Sequence, residues 1–157
     1  MSAQPRVTIS RVEAWLRAGQ VDYEIAEDGT AVADLDSCEV FILDSDSEFL
    51  VVGSIWNNEL AADDPAPMAY IDRHNSTMYA PRAMLGSEGD ATVLLADMAA
   101  FTGEGMSDAQ LHGFLSTAFT TLLGFYETAE KRPEFQAVGD APHVVPGFSV
   151  YLDVGFG

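Results

Sequence analysis

The residues that invite a chemical reading are few and scattered. Asp44-Ser45-Asp46-Ser47-Glu48 sets acidic side chains at alternate positions, as the opening of a calcium loop does. Such a loop needs glycine at its sixth position for the sharp turn and glutamate at its twelfth as a two-oxygen ligand. Phe49 and Ile55 stand there, so the segment reads as a hairpin tip. Gly103-Glu104-Gly105 ahead of a helix has the outline of a phosphate cradle. Asp108 replaces the third glycine, and Glu104 and Asp108 would repel an anion, so this reads as a turn feeding a capped helix.

Cys38 with a histidine would make a nucleophile pair. It sits at the edge of an apolar run, with no Lys or Arg nearby in sequence to lower its pKa, and reads as a small buried hydrophobe. His74, His112 and His143 lack the close spacing that metal pairs use, and His112 falls opposite an apolar stripe, hence exposed. Asp63-Asp64 reads as a helix entry. Asp72-Arg73-His74-Asn75 is the densest polar group. Its simplest reading is structural: Asn75 ends a helix in a left-handed conformation and Arg73 pairs with a nearby carboxylate. No nucleophile, base and orienting group can be assembled, so no catalytic residue, cofactor or metal is assigned.

The elements that would position these residues follow from periodicity. Thr8, then Ile9, Val12, Trp15 and Leu16, then Gly19, make an N-cap, a stripe and a stop, predicting a helix over 9–18. Strand-like runs follow at 21–26, 30–35, interrupted by Asp36-Ser37, and 39–43. The run 48–56 is the strongest strand, with Phe49, Val51 and Ile55 on one face and Leu50, Val52 and Trp56 on the other. Two apolar faces predict a central strand covered on both sides. Pro65 and Pro67 suit the first turn of a helix over 66–75. A hairpin joins 83–85 to 91–98. Ser107-Asp108-Ala109-Gln110 is a capping box opening a helix over 108–132 that Pro133 ends. Leu111, Leu115, Ala118, Leu122, Phe125 and Ala129 form its stripe, widened by Phe114, Phe119, Leu123 and Tyr126.

The expected class is α+β: a twisted antiparallel sheet with flanking helices, in the order α-β-β-β-α-β-β-α. One domain over 1–133 is expected, with a Pro/Gly-rich tail over 134–157 that adds an edge strand or forms an apolar arm. The apolar arc on the last helix is wider than one sheet contact needs. Phe114, Phe119, Leu122 and Tyr126 are therefore the candidate protein-binding residues, and a symmetric homodimer is expected.

Composition narrows the function. The 157 residues are 48% apolar, which excludes a disordered class. Seven basic residues face 25 acidic ones, for a net charge of −18, which argues against nucleic acid and anionic membrane as partners. That charge keeps a chain soluble, suits a salty medium, or attracts a basic partner. With no signal peptide visible at Met1–Val7, no membrane-length apolar run and one cysteine, a cytoplasmic setting is expected.

Several small motifs share an order that resembles the YbjN family. They are Val21-x-Tyr23 before Asp28-Gly29, the strand ending Ile55-Trp56, Asn75 followed by Pro81-Arg82-Ala83, and Gly105-x-Ser107-x-x-Gln110-Leu111. The resemblance covers residues 7–133. It implies a fold like that of type III secretion chaperones, a dimer, protein binding and a role in sensory transduction, and it carries over no catalytic residue. The function expected is a non-enzymatic protein-binding module, chaperone-like or regulatory, for a basic or amphipathic client. The alternative is a small-molecule sensor holding its ligand between sheet and helices.

Overall fold

The computed structural model describes residues 4–43 and 48–140. Helix α1, Ile9–Ala18, starts where the Thr8 hydroxyl accepts a hydrogen bond from the Arg11 backbone N–H, and it buries Val12 and Leu16. Four strands follow: β1 Tyr23–Ile25, β2 Ala31–Asp34, β3 Cys38–Leu43 and β4 Phe49–Leu60. They fall on the four strand-like runs read from the sequence, one more than the condensed order α-β-β-β-α-β-β-α counts before the second helix. Asp36 takes a left-handed conformation, φ 66°, and there the chain folds back to divide β2 from β3.

Helix α2, Ala66–Thr77, is opened by prolines and by Asp64, whose carboxylate accepts from the Ala66 N–H. Strands β5, Arg82–Glu88, and β6, Ala91–Phe101, form the hairpin. Helix α3, Asp108–Glu130, opens on a complete capping box: Gln110 N–H donates to the Ser107 hydroxyl, and Ser107 N–H donates to the Gln110 side chain. The tail contributes β7, Ala137–Asp140. Residues 141–157, the rest of the expected tail, lie outside the described residues.

The strands form one antiparallel sheet in the order β1-β2-β3-β4-β6-β5, with β7 paired to the far end of β4. Strand β4 is central, as its two apolar faces predict. It runs four residues beyond the expected Trp56, because Asn58, Glu59 and Leu60 find partners on β6 and β7. Leu50, Val52 and Trp56 face the main core with Val12 and Leu16 of α1, Ile71 of α2, and Leu115, Leu122 and Tyr126 of α3. Ile55 faces the opposite side with Phe41, Val93 and Leu95.

Leu122 and Tyr126 are fully buried in the chain's own core, which corrects their assignment as partner-facing residues. The Tyr126 hydroxyl lies 2.8 Å from Ser54 Oγ, which donates to the Ala96 carbonyl. The apolar arc of α3 is wide because the helix packs against two neighbours. Phe119 meets the Trp15 ring edge-on at 5.0 Å, and Phe125 meets His74 of α2 at 5.1 Å. Phe114 and Phe119 are half-buried against the same core. The body also continues past Pro133, since Phe135 is buried between Trp56 and Tyr70.

Candidate functional site: a cleft between α2 and α3

The polar group on α2 is where sequence and structure meet. Asn75 does not end the helix, which continues to Thr77. Its amide instead grips β5 from both sides. Nδ2 donates to the Ala83 carbonyl at 2.8 Å, and Oδ1 accepts from the Ala83 N–H at 3.0 Å. Among the described residues Ala83 lies on an edge strand, so these bonds satisfy backbone groups on the side of β5 away from β6. One residue earlier, His74 Nε2 donates to the Pro81 carbonyl at 2.8 Å, which fixes the proton on Nε2. The Ala80–Pro81 peptide is cis, and together these contacts fold the 78–81 segment back along α2.

This strap and the outer surface of α3 enclose a cleft of about 330 Å³. Tyr70, His74, Met78 and Pro81 form one wall. Thr121, Gly124, Phe125 and Thr128 form the other. The cleft is open to solvent, and Met78 and a fully exposed Tyr79 stand beside its mouth. Gly124 gives it depth: a Cβ placed there would meet nothing within 4 Å. Below the mouth, Tyr70 stacks with His74 and lies beneath two guanidinium groups, Arg73 at 5.5 Å and Arg132 at 5.2 Å. Both arginines converge on Glu134, at 3.5 Å and 2.8 Å. The Arg132 hydrogen bond is the main reason the Glu134 carboxyl is held below its ordinary range.

His74 is the one imidazole on its wall, and its Nε2 is committed to a backbone carbonyl. Among the described residues no carboxylate or thiol lines the cleft beside it.

The other expected residues lie elsewhere. Cys38 is fully buried on β3; burial, with smaller contributions from Asp34, Glu130 and Glu39, pushes its thiol up to about 12. A thiol so placed is not a nucleophile at neutral pH. His112 is exposed and accepts from the Trp15 indole N–H at 3.0 Å. Gly105 has a positive φ of 76° and packs against the N-terminal arm: a Cβ there would come within 2.4 Å of the Gln4 carbonyl. Arg11 ties the arm down by donating to the Pro5, Arg6 and Met106 carbonyls and to Asp108. The turn ahead of α3 is thus a joint between chain segments. Asp44 and Asp46 of the loop-like motif and His143 lie outside the described residues. Among the described residues no group of three or more His, Cys, Asp or Glu side chains could hold a metal ion.

The space between sheet and helices, where a sensor's ligand would sit, is filled by Trp56, Leu94, Leu115, Leu122 and Tyr126. Sequence reasoning did not find the cleft, because its walls come from two helices far apart in the chain. One signal was present. A glycine in a helix interior costs about 1 kcal/mol relative to alanine, so Gly124 asks for a reason.

Comparison with known proteins adds the following. A family model described as "YbjN: Putative bacterial sensory transduction regulator" matches residues 8–131. The fold is similar to that in the crystal structure of YbjN from E. coli, which is described there as a putative transcription regulator. The TM-score is 0.68 at 13% identity, over 88% of this chain and 100% of that one. No curated protein sequence matches the chain. Among the described residues no helix is long and apolar enough to cross a membrane.

Proposed function

The chain belongs to the YbjN family, and from that premise we propose that it is a non-enzymatic regulatory protein that binds a segment of another protein in the α2–α3 cleft. The supporting observation is the cleft itself. It is open, walled mainly by apolar and small side chains, and flanked by exposed Met78 and Tyr79. An open apolar groove between helices is the usual receptor for one or two side chains of a docked segment.

The partner's chemistry follows from charge. The whole chain carries −18, and its cations are largely engaged: Arg11, Arg17, Arg73, Arg82 and Arg132 each pair with a carboxylate. An amphipathic segment with apolar anchors and flanking lysines or arginines fits this surface. Long-range attraction would speed its arrival, while the anchors would set its residence time. A cytoplasmic setting and a homodimer belong to the same proposal. Light scattering at micromolar concentration giving a mass near 16.9 kDa would reject the dimer.

The test is differential capture from native cells with the wild-type chain and with Gly124→Leu, which fills the cleft. A partner lost with the variant supports the reading, and identical captured sets reject it. For such a partner, raising salt should lower the on-rate clearly and leave the off-rate nearly constant. A salt-indifferent on-rate would show that the acidic surface serves solvation alone.

A further inference from the structure

Among the described residues the sheet ends on two unlike edges, β1 and β5. Strand β1 is three residues long and carries exposed Asp22 and Glu24 at its start, and a short charged edge resists further pairing. Strand β5 is seven residues long, and its register with β6 runs without a break from Arg82 to Glu88. In such a ladder alternate residues turn their N–H and C=O toward the neighbouring strand, and the residues between turn theirs away. Asn75 binds both backbone groups of Ala83, so Ala83 belongs to the outward set, and Leu85 and Ser87 belong to it with Ala83. The Asn75 carboxamide supplies at Ala83 the donor and acceptor that a further strand's peptide unit would. Among the described residues no hydrogen bond reaches the outward groups of Leu85 or Ser87.

What fits these groups is set by their order. Leu85 and Ser87 each offer a donor and an acceptor, with Gly86 between them. A second β5, laid antiparallel about a two-fold axis at Gly86, brings Leu85 of each copy opposite Ser87 of the other. Every open group on both edges then finds a partner, and Ala83 stays with Asn75. Gly86 faces its own counterpart at the axis, in the pair type where Cα atoms approach to about 4.5 Å, and it has no side chain to collide there. A two-fold at Leu85 would need the Ala83 groups that Asn75 already holds, and one at Ser87 would set Leu85 against Gly89 beyond the strand. In the Gly86 register Arg82 of each copy comes level with Asp90 of the other. Opposite charges therefore meet across a joint between two chains that each carry −18.

We propose that the β5 edge is the interface between two copies of this chain, which join at Leu85, Gly86 and Ser87 and continue one sheet into the other. This rests on the homodimer of the proposed function. None of the residues that line the α2–α3 cleft takes part in the pairing, so the assembly presents a pair of clefts.

The test is sedimentation equilibrium of the full chain and of Ser87→Pro, in salt that screens the repulsion between two acidic chains. Ser87 is exposed and its N–H points away from β6, so proline removes the outward donor and leaves the β5–β6 ladder intact. One bond is lost from each copy, and the dimer should weaken by about tenfold or more. An equally tight dimer in Ser87→Pro overturns the proposal and leaves the homodimer reading standing. A wild-type chain that stays monomeric at every concentration overturns both. Amide exchange of the wild-type chain is a second measure that needs no variant. The Leu85 and Ser87 N–H groups should exchange about tenfold more slowly once the dimer forms. Exchange at these two positions that is indifferent to protein concentration also overturns the proposal.

Discussion

Filling the cleft at Gly124 separates binding from folding, because the two effects have opposite signs. Gly124 lies in the interior of α3 and faces open space, so a side chain there meets no steric penalty. Replacing a helix-interior glycine with alanine or leucine gains about 0.8–1 kcal/mol of helix propensity. For a domain of this size that raises Tm by about 2–4 °C. The leucine also occupies space that a partner's anchor would use. One buried aliphatic or aromatic side chain is worth about 1.5–3 kcal/mol, so its exclusion should weaken binding by about 10- to 150-fold. Gly113, on the same helix but outside the cleft, is the control, since a Cβ there also meets nothing within 4 Å. Calorimetric melts and surface-immobilised binding of a captured partner read both effects. The expected pattern is that Gly124→Leu and Gly113→Leu both melt higher and only Gly124→Leu loses the partner. Undiminished binding by Gly124→Leu would refute the cleft as docking site. A lowered Tm would refute the claim that the position is open.

Three further outcomes are expected. Asn75→Ala removes both bonds to Ala83 and should cost about 2 kcal/mol, lowering Tm by about 4–8 °C; an unchanged melt would mean that water replaces the amide without loss. Gly105→Ala forces a positive φ and a Cβ against the Gln4 and Pro5 carbonyls, costing about 1–3 kcal/mol in a denaturant titration, and an unshifted midpoint would show that the N-terminal arm is not seated there. Asp97, paired with Arg82 at 2.8 Å, has its carboxyl raised above the ordinary value by burial, against the pull of Arg82. The folded state therefore holds its proton more tightly than the unfolded state. Its contribution is complete below the unfolded pKa of about 3.9 and is lost as pH rises through the raised folded value. Asp97→Asn should accordingly gain stability relative to wild type on going from acid to neutral pH, and a flat difference would contradict the sign.

What could be read from sequence was what local physics decides. The Ser107–Gln110 capping box, the Thr8 cap and the alternation along β4 each encode their own structure within a few residues. What could not be read depended on distant partners. Asn58 and Glu59 look like a polar connection and become strand only because β6 and β7 pair with them. Asn75 has the profile of a helix terminator until Ala83 offers it two backbone groups. Leu122 and Tyr126 widened the apparent surface of α3 because the sequence does not say that α1 and α2 flank it on both sides. The cleft combines a strap from one helix with a glycine from another, and no spacing rule joins them.

The order of strands also sets a schedule for synthesis. Strand β4 pairs with β6 across the centre of the sheet, and its partners are made roughly 30–50 residues later, a delay of about 2–10 s at ordinary elongation rates. During that interval the first four strands lack β6, and β4, the longest of them, presents an unpaired edge. Strand β7, which pairs with the far end of β4 along its other edge, beyond β3, arrives later still. The nascent chain therefore passes through a stage with half a sheet, when a heavily acidic sequence keeps neighbouring chains on the same message apart.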